Sequence, residues 1–134
     1  MNRKTARENA FILLFEKAVR SDEPCEEIFK TATEERGLEY DDYVKKVFFG
    51  ANENQAIINE TVEKCLIGWK SERVSFVSRA VLNLATFELM FMEDIPVFVS
   101  INEAIELSKK YDEDKAYSFV NGVLNAVATA IGRK

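Results

Sequence analysis

The chain contains no histidine, which removes both the commonest general base and the commonest zinc ligand. Its two cysteines, Cys25 and Cys65, lie far apart. Each falls on the apolar side of its segment, so they read as buried free thiols rather than a disulfide. Only five glycines occur, and none belongs to a glycine-rich phosphate loop. With these groups missing, neither catalysis nor a metal or cofactor is expected. The longest nearly apolar run, Ala80 to Met92, is broken by Asn83, Thr86 and Glu88, which makes it too short and too polar for a membrane span. The N-terminus lacks the apolar core of a signal peptide, so a cytoplasmic protein away from membranes is the expectation.

What is present fits one globular domain over residues 1–134, with 47% apolar and 31% charged residues. The net charge of −5 opposes indiscriminate binding to nucleic acid, but it is unevenly spread. Residues 1–20 carry Arg3, Lys4, Arg7, Lys17 and Arg20 against Glu8 and Glu16, a balance of +3. Residues 21–42 carry nine acids against Lys30 and Arg36, a balance of −7. One end of the molecule is therefore able to attract an anion.

Every segment reads as helix, and no alternating pattern argues for a sheet. Thr5-Ala6-Arg7-Glu8 has capping-box spacing, which places the first helix from Thr5 to about Arg20. A second starts near Pro24, with the stripe Cys25, Ile28, Phe29 and Ala32, and ends before Gly37. Asp41 or Asp42 caps a third, whose stripe runs from Val44 through Phe48 and Ile58 to Trp69. That stripe passes Gly50 unbroken and favours one helix of about 27 residues, roughly 40 Å long, with Asn52 to Asn54 as the alternative break. The fourth helix, Val74 to Met92, is apolar nearly all round and belongs in the middle of a bundle. Pro96 enforces an extended connection. Ser100-Ile101-Asn102-Glu103 then has capping-box spacing for a helix to about Tyr111. The last helix spans Lys115 to Ile131 and is closed by Gly132. Gly122, in its interior, implies a close helix crossing there.

Several groups are candidates for binding. Arg3, Lys4 and Arg7 stand where the helix dipole is already positive, an arrangement that an external anion such as RNA phosphate would relieve. Arg79, Asn83 and Thr86 form one polar stripe on the fourth helix, either a recognition surface or a solvent-facing edge. Glu88, on the opposite side, needs a helix end or a cation to accept its charge. Phe11 and Phe15 lie on one face of the first helix, as core or as a partner surface. Lys109, Lys110 and Lys115 lie among Tyr111 and Tyr117, a mixture suited to single-stranded RNA, although Asp112, Glu113 and Asp114 crowd the same turn.

Three stretches carry a resemblance. Arg3-Lys4-Thr5-Ala6-Arg7-Glu8 is similar to the arginine-rich start of the bacterial NusB transcription antitermination family. Arg79 to Leu89 is similar to that family's central helix. Asp94-Ile95-Pro96, Ile101-Asn102-Glu103-Ala104 and Phe119-Val120-Asn121-Gly122-Val123-Leu124 match its most specific signature in order and spacing. The resemblance implies an all-α fold, a compact bundle of about six to seven helices in two packed helical subdomains. It also implies a non-catalytic factor that binds boxA RNA with the ribosomal protein NusE. With RNA polymerase and other Nus factors, such a factor promotes read-through in ribosomal RNA operons. By matching position, Arg3, Lys4, Arg7, Asn83, Lys115, Ser118 and Phe119 fall on the RNA side, with Arg79 one turn before Asn83 as a substitute for the arginine usual there. Phe15 and Ser78 fall on the side of the ribosomal protein, and Phe11 shares the face of Phe15.

Two rivals stand beside this reading. A related helical domain forms the RNA-binding part of some ribosomal RNA cytosine methyltransferases, although the sequence to Lys134 carries no cofactor-binding domain. Alternatively, the Phe11/Phe15 face makes a homodimer and RNA is incidental.

Overall fold

A computed structural model describes residues 1–134 as seven α-helices with no strand. The first four are α1 (Arg3–Val19), α2 (Cys25–Lys30), α3 (Asp42–Glu53) and α4 (Gln55–Lys64). The remaining three are α5 (Phe76–Phe91), α6 (Val97–Tyr111) and α7 (Ala116–Ala130). A five-residue stretch of wider π-type winding, Thr31–Glu35, extends α2. No helix is long and apolar enough to cross a membrane. The expected all-α bundle is what forms.

Helix α5 is the axis of the assembly. Every residue from Ala80 to Leu89 is buried, as its all-round apolar pattern requires. It packs against two groups, α1 with α3 and α6 with α7, and against α4, which also touches α7. A single cluster of 33 buried apolar residues runs through both groups. Because α5 lies between them, the stripe Arg79, Asn83, Thr86 is not a solvent edge. Thr86 is fully buried and its hydroxyl has no protein partner.

Several helix boundaries differ from the sequence expectations. The cap of α1 is Asn2, whose Oδ1 accepts from the Thr5 amide at 2.8 Å, so Thr5 and Glu8 lie inside the helix. Pro24 precedes α2 as its N-cap. Helix α6 begins at Val97 directly after Pro96, leaving Ser100 within the helix and buried. Asp41 caps α3 as expected, accepting from Val44 N at 3.0 Å. The long third helix is divided at Asn54. There the side chains of Asn52 and Asn54 donate back to the carbonyls of Phe48 and Gly50 at 2.7 and 2.8 Å, competing with the helical ladder. The stripe resumes through α4, with Ile58, Val62 and the C-cap Cys65 buried. Helix α4 ends at Lys64, however, so Trp69 leaves the core stripe and is 57% exposed.

The close crossing is at Gly50, not Gly122. A Cβ on Gly50 would lie 2.6 Å from the buried Phe87 ring of α5, whereas one on Gly122 meets nothing within 4 Å. Gly122→Ala should therefore stabilise the chain by about 0.5–1 kcal/mol through helix propensity. Gly50→Ala should cost about 1–3 kcal/mol through overpacking. Urea unfolding of the two variants checks this, since propensity alone would move both the same way.

Candidate nucleic-acid interface

The N-terminal cations separate into two kinds. Because α1 starts at Arg3 with no acid in its first turn, Arg3 and Lys4 lie against the positive end of the helix dipole. Both are exposed. The Arg3 guanidinium rests 4.4 Å from the centre of the Tyr43 ring, which leaves its N–H groups open. Lys4 Nζ reaches Glu103 only at 4.0 Å and its side chain is 74% exposed.

Arg7 turns the other way. It is 4% exposed, and its Nε donates to Glu88 Oε2 at 2.8 Å. A longer contact joins Nη2 to Oε1 at 3.4 Å, and Nη1 lies 3.6 Å from Glu103. The fully buried Glu88 also accepts from the Tyr43 hydroxyl and, at 2.7 Å, from Ser100 Oγ. Four helices thus meet at one carboxylate. Burial opposes the Arg7 charge, but the hydrogen bond and charge of Glu88 outweigh it and hold the guanidinium pKa above its ordinary value. Burial, then the adjacent carboxylate, pushes the Tyr43 phenol far above its usual range. Arg7, expected beside Arg3 and Lys4 as a free cation, is an internal ion-pair partner. It holds up the ring on which Arg3 rests.

The other expected residues fall in two places. Arg79 Nη2 donates to the Ser71 carbonyl and lies 3.3 Å from its hydroxyl. With Asn83, which is 9% exposed, it lines a narrow recess beside Asn59 and Glu63. Lys115, Ser118 and Phe119 instead line a cleft of about 970 Å³ between the α4–α5 connection and the start of α7. Lys115 enters α7 in the left-handed conformation, φ 75°, a strained state for a side chain with a Cβ.

Ser78, expected on the side of the protein partner, faces this same cleft. It is buried, and its hydroxyl donates to Asp112 at 2.7 Å. Phe11 is buried against Tyr111 with ring centres 4.9 Å apart. Phe15 is half-buried, so it alone of the three keeps appreciable surface.

Sequence reading did not place Tyr43, Ser100 or Glu103 around Arg7. The single acid on the apolar side of α5 was the available signal. It also assigned Trp69 to the core, although Gly68, at φ 78°, interrupts the helical stripe just before it. Continuity between the basic end and the cleft comes from Lys110, in the last turn of α6, which donates to Glu8 of α1 at 2.7 Å. The turn that follows Lys110 forms the cleft's rim.

These features define a small helical binding protein, with exposed cations at one helix start and an aromatic cleft beyond. Residues 4–129 match the NusB family, and the chain belongs to that family. It is 43% identical over 131 residues to the transcription antitermination protein NusB of Bacillus subtilis, covering 98% of each chain. The corresponding protein of Bacillus licheniformis is 42% identical over 127 residues, 95% of this chain and 96% of that one. The fold superposes on Thermotoga maritima NusB with a TM-score of 0.83 at 37% identity, covering 96% of this chain and 92% of that one. A chain from the crystal structure of antitermination factors NusB and NusE in complex with double-stranded RNA gives 0.84 at 34% identity, covering 96% of each.

Proposed function

We propose that this chain is a transcription antitermination factor: one RNA-binding domain over residues 1–134 that holds boxA-type single-stranded RNA together with the ribosomal protein NusE. The observation that carries the reading is the family membership, joined to two cations left without close carboxylate partners at a helix start. Arg3 and Lys4 supply phosphate contacts, Lys115, Ser118 and Phe119 extend the RNA surface past the α6–α7 turn, and Arg79 and Asn83 shape its flank. Phe15 contributes to the protein-partner face. The work is positional. The factor ties a nascent RNA element and a ribosomal protein to elongating RNA polymerase, alongside other Nus factors, in the cytoplasm. No catalytic step is involved.

Sedimentation of the chain with NusE and a boxA oligonucleotide tests this. The expected species is a complex with one copy of each, with RNA held more tightly when NusE is present. A homodimer that neither opens for NusE nor takes up RNA would overturn the reading in favour of a self-associating protein.

A further inference from the structure

The cleft beside α7 holds a side chain whose position the fold itself does not explain. Trp69 is the chain's single tryptophan, yet it is 57% exposed, next to Ile67 at 82%. Full burial of such a ring would remove 150–250 Å² from water, so folding gains little from leaving it outside. Its position is nevertheless defined. The Trp69 amide donates to the Leu66 carbonyl at 3.0 Å, and the short 3₁₀ turn Ser71–Arg73 follows at once. The indole rests on Phe119, with ring centres 4.7 Å apart and planes at 56°. Phe119 is half-buried and packs on the core. At that spacing nothing fits between the two rings. Phe119 is therefore a backing, and the exposed part of the indole faces the cleft.

The polar lining indicates what the indole receives. Arg73 and Lys115 are cationic; Asp112, Glu113 and Asp114 are acidic. A bare phosphate would meet more repulsion than attraction. Asp112 is already engaged, since one oxygen accepts from Ser75 at 2.9 Å and Ser78 at 2.7 Å, and the other from the Glu113 amide at 2.8 Å. Glu113 and Asp114 are exposed carboxylates, which are acceptors for the exocyclic amino groups of bases. A flat π-face beside acceptors, with cations at the margin, suits a nucleobase better than a phosphate or an apolar peptide.

We infer that Trp69, backed by Phe119, is a stacking platform for one unpaired base of the bound RNA. Glu113 and Asp114 are placed to accept from an amino-bearing base. The inference rests on the RNA-binding reading above and adds a residue and a chemistry to it. Stacking is sequence-tolerant and insensitive to counterions, so Trp69 contributes affinity without contributing to salt dependence.

The experiment uses the full chain with NusE and a single-stranded boxA 12-mer. RNA affinity is measured at several salt concentrations, and indole emission is read against a Trp69→Phe chain in the same mixture. RNA should quench Trp69. Trp69→Ala should weaken RNA binding by about tenfold or more, within the range for loss of one stacked base, while the log–log salt slope stays the same. Trp69→Tyr should stay within about threefold of the parent, as another stacking ring should. Thermal midpoints should match, because an exposed side chain carries little folding energy. RNA bound at full strength by Trp69→Ala, without quenching in the parent, would overturn the platform and leave the RNA-binding reading intact. A salt slope that falls with Trp69→Ala, or quenching caused by NusE alone, would overturn it in favour of a phosphate or a protein contact. Absence of RNA binding by the parent chain would overturn both readings.

Discussion

Arg7→Ala is expected to destabilise the fold by about 3–5 kcal/mol, the usual cost of leaving one member of a buried ion pair alone. At the entropy of unfolding usual for a domain of this size, that corresponds to a fall in melting temperature of about 10–20 °C. The geometry makes the loss severe. Glu88 is 0% exposed and accepts from Arg7, Tyr43 and Ser100. Removing the guanidinium strands its charge among the hydrophobic walls of α1, α3, α5 and α6. Glu88→Ala should also be destabilising but less so, since Arg7 loses its closest partner yet keeps Glu103 at 3.6 Å. Changing both to apolar residues, as in Arg7→Met/Glu88→Leu, should cost less than the two single losses combined, because no unpaired charge remains. A loss below about 1 kcal/mol for Arg7→Ala would mean that the pair is not buried as described.

Arg3→Ala/Lys4→Ala is expected to do the reverse. Both side chains are exposed and neither has a close carboxylate partner. Removing them should leave the melting temperature nearly unchanged and even relieve repulsion at the helix start. Affinity for single-stranded RNA in the presence of NusE should fall about tenfold or more at low salt, as two phosphate contacts vanish. Arg3, Lys4 and Arg7 look alike in the sequence. The structure divides them by direction, with two exposed to solvent and one turned inward as a support for Glu88. The pair of variants separates those roles, because one should change stability and the other binding.

The sequence was informative where local chemistry decides the outcome. The near-continuous apolar pattern of α5 placed it at the centre, Pro96 marked the connection to α6, Asp41 marked a cap, and Gly132, at φ 80°, closed the last helix. Where several local signals compete, it was less so. Ser/Thr followed by Glu three residues on is a capping pattern at a helix start and an ordinary intrahelical spacing one turn inside. Thr5 and Ser100 are of the second kind, because Asn2 and Pro96 stand earlier. The break at Asn54 depends on side-chain amides out-competing backbone donors, which an apolar stripe does not register. Gly50 and Gly122 could be told apart only by what crosses them. The partnership of Arg7 with Glu88, 81 residues apart, depends wholly on tertiary packing, although the isolated acid on α5 announced that some cation was needed. Of the candidate site, Arg3, Lys4, Lys115 and Phe119 were recognisable by type. The cleft that gathers the last two with Trp69 was not.

The most direct test of the central claim, that exposed cations at the start of α1 neutralise RNA phosphates, is the salt dependence of RNA affinity at fixed NusE. With about three phosphates engaged, log affinity should fall against log salt with a slope of about −2, at roughly 0.7 per single-strand phosphate. The Arg3→Ala/Lys4→Ala chain should lose about 1.4 of that slope. A flat dependence in the parent chain, or an unchanged slope in the double variant, would contradict the claim.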